Sequence, residues 1–198
     1  MLYGLPDVSI VLSPYLDIRI FPKYDDAEII KVGNPGLKPQ FTSSIELGYK
    51  TSYNTGYFYA AAYRKNTKAT ITRIATQVPP SNLIYNVFQN AGNSSNTGLE
   101  FIWQNTFSKV FSLNANLNIY RNIIDAFSVI NKYPVPSLYT AQQDKLTSGN
   151  FKLNGMFKLT PNSELQVASI YLAPDLIPQG KVGSRYSLDI GFKKQLRD

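Results

Sequence analysis

The stretch VFSLNANLNIY at residues 110–120 alternates apolar and polar side chains from Phe111 onward. Successive side chains of a β-strand point to opposite faces, so the pattern predicts a strand with one apolar and one polar face. The polar face carries asparagines and a serine rather than the Lys, Glu and Thr with which soluble proteins usually meet water. An unbroken apolar face opposite small polar side chains is typical of a membrane β-barrel, which has lipid outside and a wet lumen inside.

Similar alternation extends from this stretch in both directions, and the breaks between the alternating segments follow a rhythm. Short breaks at residues 54–55, 108–109 and 160–163 alternate with long ones at residues 78–96, 122–145 and 174–183. Outer-membrane barrels combine short periplasmic turns with long extracellular loops in this way. We therefore predict an all-β fold, an antiparallel meander of about seven long strands that is part of a transmembrane β-barrel.

The chain is predicted to be a single, incomplete domain. Prolines interrupt residues 1–40, which are predicted to be irregular loop with short strands, among them residues 8–12 and 17–21. Residues 41–198 are predicted to be the barrel segment. Met1 is not followed by the basic and apolar regions of a signal peptide, so we expect a chain that is either not exported or part of a longer precursor.

Composition narrows the functional classes. The 198 residues include no Cys and no His, which excludes disulfide scaffolds and sites built on thiolate or imidazole, and removes the commonest catalytic acid and base. We therefore predict no enzyme activity and no cofactor, with a carboxylate pair for glycoside hydrolysis, which no motif marks, as the open alternative. The formal net charge is +7, but the Lys and Arg are dispersed and no nucleic-acid motif accompanies them, so nucleic acid is not a predicted partner.

Several motifs resemble one family. GNPGLKPQ at residues 33–40 and IELGY at residues 45–49 are similar to a segment of TonB-dependent outer-membrane receptors, above all of the outer-membrane β-barrel family abundant in Bacteroidetes. Further stretches resemble the same family in the same order, at residues 58–64, 96–100, 113–120, 171–174, 179–180 and 187–194.

The resemblance implies a bacterial outer-membrane location and a barrel of the 22-strand type, plugged by an N-terminal domain. It implies energised import of a large nutrient, such as a siderophore complex or a glycan, driven by the TonB system. The implied partners are outer-membrane lipid and lipopolysaccharide, the plug domain and TonB system through the full-length protein, and, as a further candidate, a surface lipoprotein. Because the plug and the family's last strands have no counterpart in this sequence, we interpret the chain as an internal part of the C-terminal half of the barrel.

The strand faces supply the candidate functional residues. Polar side chains are predicted to line the lumen, where they guide substrate, contact the plug, or form structural ion pairs across neighbouring strands. These lumen-facing residues are Glu46, Glu100, Gln104, Asn114, Asn116, Asn118, Lys152, Asn154, Glu164 and Asp189. The predicted lipid-facing residues are Leu99, Phe101, Trp103, Phe111, Leu113, Leu117, Ile119, Phe157, Leu188 and Ile190.

Three smaller groups leave alternatives open. Aromatic residues near strand ends are predicted to form girdles at the membrane interfaces, with the ordinary enrichment of aromatics in β-sheets as the alternative: Tyr49, Tyr57, Tyr63, Trp103, Tyr120 and Tyr171. Aromatic residues of the long loops either stack on sugars or a partner, or pack the loops together: Tyr85, Phe88, Tyr133 and Tyr139. Clustered cations either meet lipopolysaccharide phosphates or an anionic ligand, or are a solvated strand end: Arg64, Lys65, Lys68 and Arg73.

Two further hypotheses compete with the receptor barrel. A secreted, soluble β-sandwich could bind carbohydrate, or act as an adhesin, through loop aromatics. A surface protein could assemble through open sheet edges, which are prone to pair with other chains. A Ca²⁺ site at Asp25, Asp26 and Glu28 is also conceivable by ligand type, but its spacing matches no Ca²⁺ loop, and a solvated acidic loop is the preferred interpretation.

Overall fold

The computed structural model describes residues 2–11, 18, 21–24, 28–77, 79–80 and 82–195, without the side chains of residues 2, 3 and 5. Asp25 and Asp26, and most of the strand predicted over residues 17–21, lie outside this part of the chain. No helix long and apolar enough to cross a membrane occurs in the described residues.

Eight long antiparallel strands form one large sheet, here called the main sheet. Numbered in chain order and given in spatial order, they are β1 (Leu2–Val11), β4 (Gln40–Tyr53), β5 (Gly56–Lys68), β8 (Ser94–Thr106), β9 (Phe111–Ile124), β12 (Asp144–Thr160), β13 (Ser163–Leu172) and β16 (Arg185–Lys194). In the described residues β1 and β16 are the two edges, so the sheet is open. The all-β fold and the antiparallel meander are thus confirmed.

Eight shorter strands lie in the long connections and form what we call the outer module. A four-stranded sheet contains β2 (Lys23–Tyr24), β3 (Ile29–Val32), β7 (Ile84–Asn90) and β6 (Ile71–Gln77), in that spatial order. Two hairpins complete the module, β10 (Phe127–Asn131) with β11 (Ser137–Ala141) and β14 (Asp175–Ile177) with β15 (Gly180–Val182).

The two ends of the main sheet differ as the rhythm of breaks predicts. Connections at one end, the turn end, are short and cover residues 54–55, 107–110 and 161–162. Connections at the other end, the loop end, are long and carry the outer module. The main sheet has eight long strands where about seven were expected. The additional strand is β1, which lies within residues 1–40 and pairs with β4 along its whole length.

The long connections are also more ordered than a loop interpretation suggests. After β5 the chain leaves the main sheet at Ala69, whose φ is 54°, and continues in extended structure as β6. Tyr85 and Phe88 lie in β7 and Tyr139 lies in β11, so of the four predicted loop aromatics only Tyr133 lies in a connection.

Burial is concentrated in the outer module. One cluster joins Ile74, Ala91 and Phe127 with Ile124 of the main sheet and Leu176 of β14. A second joins Ile30, Val32 and Val87 across the parallel pair of β3 and β7. Buried apolar surface stabilises a fold in water, so the outer module has the organisation of a water-exposed structure. On the main sheet, by contrast, most apolar side chains are half-buried or exposed.

A buried amide chain joins the outer sheet to the hairpin β10–β11. Asn131, with no exposed surface, accepts a hydrogen bond from Gln89 Nε2 at 3.0 Å and donates one to Thr76 Oγ1 at 2.8 Å. Gln89 is itself buried, and besides Asn131 its Nε2 reaches the Ile130 carbonyl at the longer distance of 3.4 Å.

We expect Asn131→Leu to destabilise the outer module by about 1–3 kcal/mol, because the variant loses the contacts with Gln89 and Thr76 and leaves the buried Gln89 Nε2 with only its long contact to the Ile130 carbonyl. Hydrogen exchange of the β7 and β10 amides in the intact protein measures the effect. Ser128→Ala removes only an exposed contact with Thr140 on the same hairpin and should leave exchange nearly unchanged. Equal exchange in the two variants would contradict the structural role of Asn131.

Candidate functional site: the two faces of the main sheet

Cross-strand register decides which side chains share a face. Glu100 lies opposite Asn118, Gln104 opposite Asn114, and Asn116 opposite Lys152. Followed across the sheet, the same register places all the predicted lumen-facing residues on one side, here called the polar face. They are Glu46, Glu100, Gln104, Asn114, Asn116, Asn118, Lys152, Asn154, Glu164 and Asp189. That this face lines a lumen stays a prediction.

Hydrogen bonds between neighbouring strands hold the polar face. Tyr59 donates to Glu46 Oε1 at 2.6 Å, and Asn116 donates to Glu100 Oε1 at 3.1 Å. Gln166 donates to Asn154 Oδ1 at 3.0 Å. Glu46 and Glu100 thus each accept a hydrogen bond from a hydroxyl or amide donor of a neighbouring strand.

Tyrosines connect the polar face with the loop end. Tyr63 donates to Asn118 Oδ1 at 3.0 Å, and Tyr120 donates to Asp175 Oδ2 at 2.7 Å. Gly98 lies opposite both tyrosines, and a Cβ there would come within 2.6 Å of the Tyr63 hydroxyl. The missing side chain therefore makes room for the two rings. Because Asp175 belongs to β14, this contact fixes the outer module to the wall strand β9.

The opposite side, here called the apolar face, carries the whole predicted lipid-facing set. Leu99 lies opposite Ile119, Phe101 opposite Leu117, and Phe111 opposite Phe157. The predicted lipid-facing residues on this face are Leu99, Phe101, Trp103, Phe111, Leu113, Leu117, Ile119, Phe157, Leu188 and Ile190. That these side chains meet lipid stays a prediction.

Exposure and length of the apolar face fit a bilayer. Leu99 is 48 % exposed and Ile190 is 68 % exposed, although both are large and apolar. On β9 the apolar side chains run from Phe111 to Ile119, about 27 Å along the strand and about 21 Å along the bilayer normal at a tilt of roughly 40°. That height is close to the apolar band of roughly 25 Å in outer-membrane barrels.

An aromatic row crosses the apolar face near the turn end. Trp103 meets Phe107 edge-on with ring centroids 5.7 Å apart, and Phe107 stacks on Phe111 at 5.3 Å. Phe111 stacks in turn on Phe157 at 4.6 Å. Trp103 Nε1 donates to the Tyr53 hydroxyl at 2.8 Å, so the row also has a polar margin of the kind that suits a membrane interface.

The girdle prediction is partly wrong for the tyrosines. Register puts Tyr49, Trp103 and Tyr171 on the apolar face, where girdle residues belong. Tyr57, Tyr63 and Tyr120 lie on the polar face instead. A tyrosine ring suits either side of such a wall, and here the hydroxyls of Tyr63 and Tyr120 find polar partners.

The basic residues do not form one cluster. Arg64 and Lys68 point to the apolar face, whereas Lys65 points to the polar face and lies over the Tyr63 ring at 5.3 Å. Arg73 is in the outer module and covers the Phe88 ring at 4.8 Å. The residue that sequence reasoning missed is Arg121 of β9, which shares the face of Arg64 and emerges only from the register.

Most loop aromatics pack the outer module. Tyr85 meets Tyr133 edge-on at 5.5 Å, and Tyr139 lies 5.9 Å from Phe127 and donates to the Pro178 carbonyl at 3.1 Å. A cleft of about 410 Å³ opens beside Tyr133, with Asn34 and Lys132 among its walls. Within the described residues no group of three or more His, Cys, Asp or Glu side chains is placed to hold a metal ion.

Comparison with solved structures shows the same fold in two receptors of Pseudomonas aeruginosa. The siderophore receptor PirA matches all of this chain with a TM-score of 0.63 and 11% sequence identity, over 34% of its own length. The ferric enterobactin receptor PfeA, solved as the G324V mutant, matches 99% of this chain with a TM-score of 0.58 and 12% identity, over 30% of its own length. The chain therefore spans about a third of the length of these proteins.

No curated protein matches the sequence. The family model described as "Outer membrane protein beta-barrel family" matches residues 12–198, nearly the whole chain. Together with the open antiparallel sheet and its two contrasting faces, this match shows that the chain belongs to the outer membrane protein β-barrel family of the bacterial outer membrane.

Proposed function

We propose that the main sheet is part of the wall of a TonB-dependent receptor, with the polar face toward the lumen and the apolar face toward lipid. The observation that carries the proposal is the placement of the polar set and the apolar set on opposite faces of the main sheet. A soluble β-sandwich would need a second sheet over the apolar face, whereas Leu99 and Ile190 are exposed there. An apolar surface of this extent is stable in lipid and prone to aggregate in water.

The difference between the two ends of the main sheet supports one orientation in the membrane. In outer-membrane barrels the short turns are periplasmic and the long loops extracellular, so the outer module faces outward. The similar structures are receptors for siderophores, which makes a ferric siderophore the first candidate substrate, with a glycan as the second. A plug domain would contact the polar face, and a surface lipoprotein would cover the outer module.

Energised uptake tests the function. Cells that produce the intact protein are offered labelled ferric siderophores and oligosaccharides, with and without the TonB system. We expect uptake of one ligand class that requires the protein and stops when TonB is deleted. Uptake that persists without TonB would identify a passive pore and overturn the proposal.

Single cysteines test the orientation of the faces. Because the chain contains no Cys, it offers no competing thiol to a probe at Asn116→Cys or at its neighbour Leu117→Cys. A fluorescent maleimide at position 116 should be quenched by aqueous iodide. The same probe at position 117 should be quenched by lipids that carry a nitroxide in the acyl chain. Equal quenching patterns at the two positions would contradict the lumen and lipid assignments.

A further inference from the structure

We propose that the loop end of the apolar face binds a phosphate-bearing glycolipid of the outer leaflet. Its phosphates would lie on Arg64 and Arg121, and its acyl chains would fill the groove below them. The proposal depends on the proposed function only for the orientation that places the loop end outside.

A groove on the apolar face supplies the acyl-chain site. It has a volume of about 570 Å³, and its walls include Leu47, Ala62, Leu99 and Ile119. These residues share one row across β4, β5, β8 and β9, because each lies directly opposite the next. The large side chains of this row are about half exposed. The groove is therefore open to lipid along the strands and lined with hydrocarbon.

A row of cations and hydroxyls closes the groove toward the loop end. Arg64 lies opposite Thr97, Thr97 opposite Arg121, and Arg121 opposite Thr147 on four neighbouring strands. Neighbouring strands are about 4.8 Å apart, so the two arginines start about 10 Å from each other. Guanidinium groups bind phosphate oxygens in pairs, and the threonine hydroxyls between them can donate as well.

The distribution of charges between the two faces of the main sheet favours an anion as the ligand of the arginine row. Every Asp and Glu of the described main-sheet strands lies on the polar face: Asp7, Glu46, Glu100, Asp144, Glu164 and Asp189. Beyond the arginine row, Lys68 and Lys145 add positive charge to the same end of the apolar face. Among the described residues, neither arginine has a carboxylate partner.

The spacing favours a glycolipid with two phosphates over a lipid with one. Two guanidinium groups about 10 Å apart on the edge of the apolar band can each hold one phosphate of the same headgroup. Cations are tolerated at this depth, since the cost of Arg or Lys on the lipid face falls to roughly 0–1 kcal/mol near the interface. A zwitterionic headgroup offers no net charge to the same row.

Native mass spectrometry of the intact protein in detergent tests the site with diphosphoryl lipid A as the probe. The comparison lipids are the same molecule without phosphates and phosphatidylcholine. We expect retention of the diphosphoryl form about tenfold or more above both, and loss of that preference in Arg64→Gln/Arg121→Gln. The control Lys65→Gln/Arg185→Gln removes the same charge from the polar face and should keep the preference.

Two results would overturn the proposal. One is a double arginine variant that keeps the preference; the other is a control that loses it equally, since net charge alone would then explain binding. Ala62→Phe, which fills the groove, should reduce retention while both arginines remain, whereas Ala60→Phe, one row lower on the same face, should not. Lipid retention is measured independently of uptake. If uptake proved independent of TonB while the preference for the diphosphoryl lipid remained, only the proposed receptor function would be refuted.

Discussion

Replacing Leu117 with arginine is expected to destabilise the intact protein in a lipid bilayer by about 2–4 kcal/mol, the cost of a cation near the midplane of a barrel's lipid face. Leu117 lies on β9 near the middle of the apolar stretch, opposite Phe101 and Phe151. An arginine there has no carboxylate on its face to pair with. Unfolding by urea in liposomes measures the loss.

The control for this prediction is three positions away on the same strand. Asn114→Arg introduces the same charge on the polar face, opposite Gln104 and Asn154. Water reaches that side in the proposed arrangement, so the variant should unfold within about 0.5 kcal/mol of the wild-type protein. If both arginines cost the same, the apolar face does not meet lipid.

Gly56→Ala should have the second largest effect. Gly56 follows the two-residue turn between β4 and β5, and a Cβ there would run into the backbone carbonyl of Gln104 and lie 2.9 Å from Asn105 Cα. Backbone in the next strand cannot yield without separating β5 from β8. We expect the free energy of unfolding to fall by about 1–3 kcal/mol. A value near the upper end is expected because no flexible side chain can move to relieve the overlap.

A second glycine of the main sheet provides the matched control. A Cβ at Gly191 of β16 would meet nothing closer than Gln166 Cβ at 4.0 Å. Gly191→Ala should therefore be neutral, or stabilising by up to about 0.5–1 kcal/mol, since glycine within a strand is entropically costly. The same urea titration compares the two variants. Equal stability would show that the turn end adapts more freely than the close approach at Gly56 implies.

The faces of the main sheet were predictable because period-two alternation is a local property. In β9, Leu117 and Asn118 differ strongly in polarity, so the sequence alone assigns them to opposite sides. In β5 the two candidate faces are Tyr57, Tyr59 and Tyr63 against Phe58 and Arg64, and tyrosine suits either side. Only the pairing with β8, which no local pattern encodes, resolves that strand.

Strand boundaries were less predictable, for two physical reasons. Pro6 within β1 argues against a central strand, yet a proline is compatible with an edge strand, and β1 is an edge of the described sheet. At Ala69 the chain turns with a positive φ without the glycine that usually marks such a position. The row of Arg64 and Arg121 was not predictable either. The two arginines are 57 positions apart in sequence, and they share a row only because both lie opposite Thr97 of β8.

The ordered outer module has a consequence for recognition. Two amide contacts between Gln179 and the Ala75 backbone, at 2.7 and 3.0 Å, tie its most distant segments together around the cluster of Ile74, Phe127 and Leu176. In the proposed receptor, binding of a ligand at this surface would cost little entropy, because the framework is already ordered. Exposed positions such as Tyr133 and Lys132 can then change during evolution and retune selectivity while the framework keeps its shape.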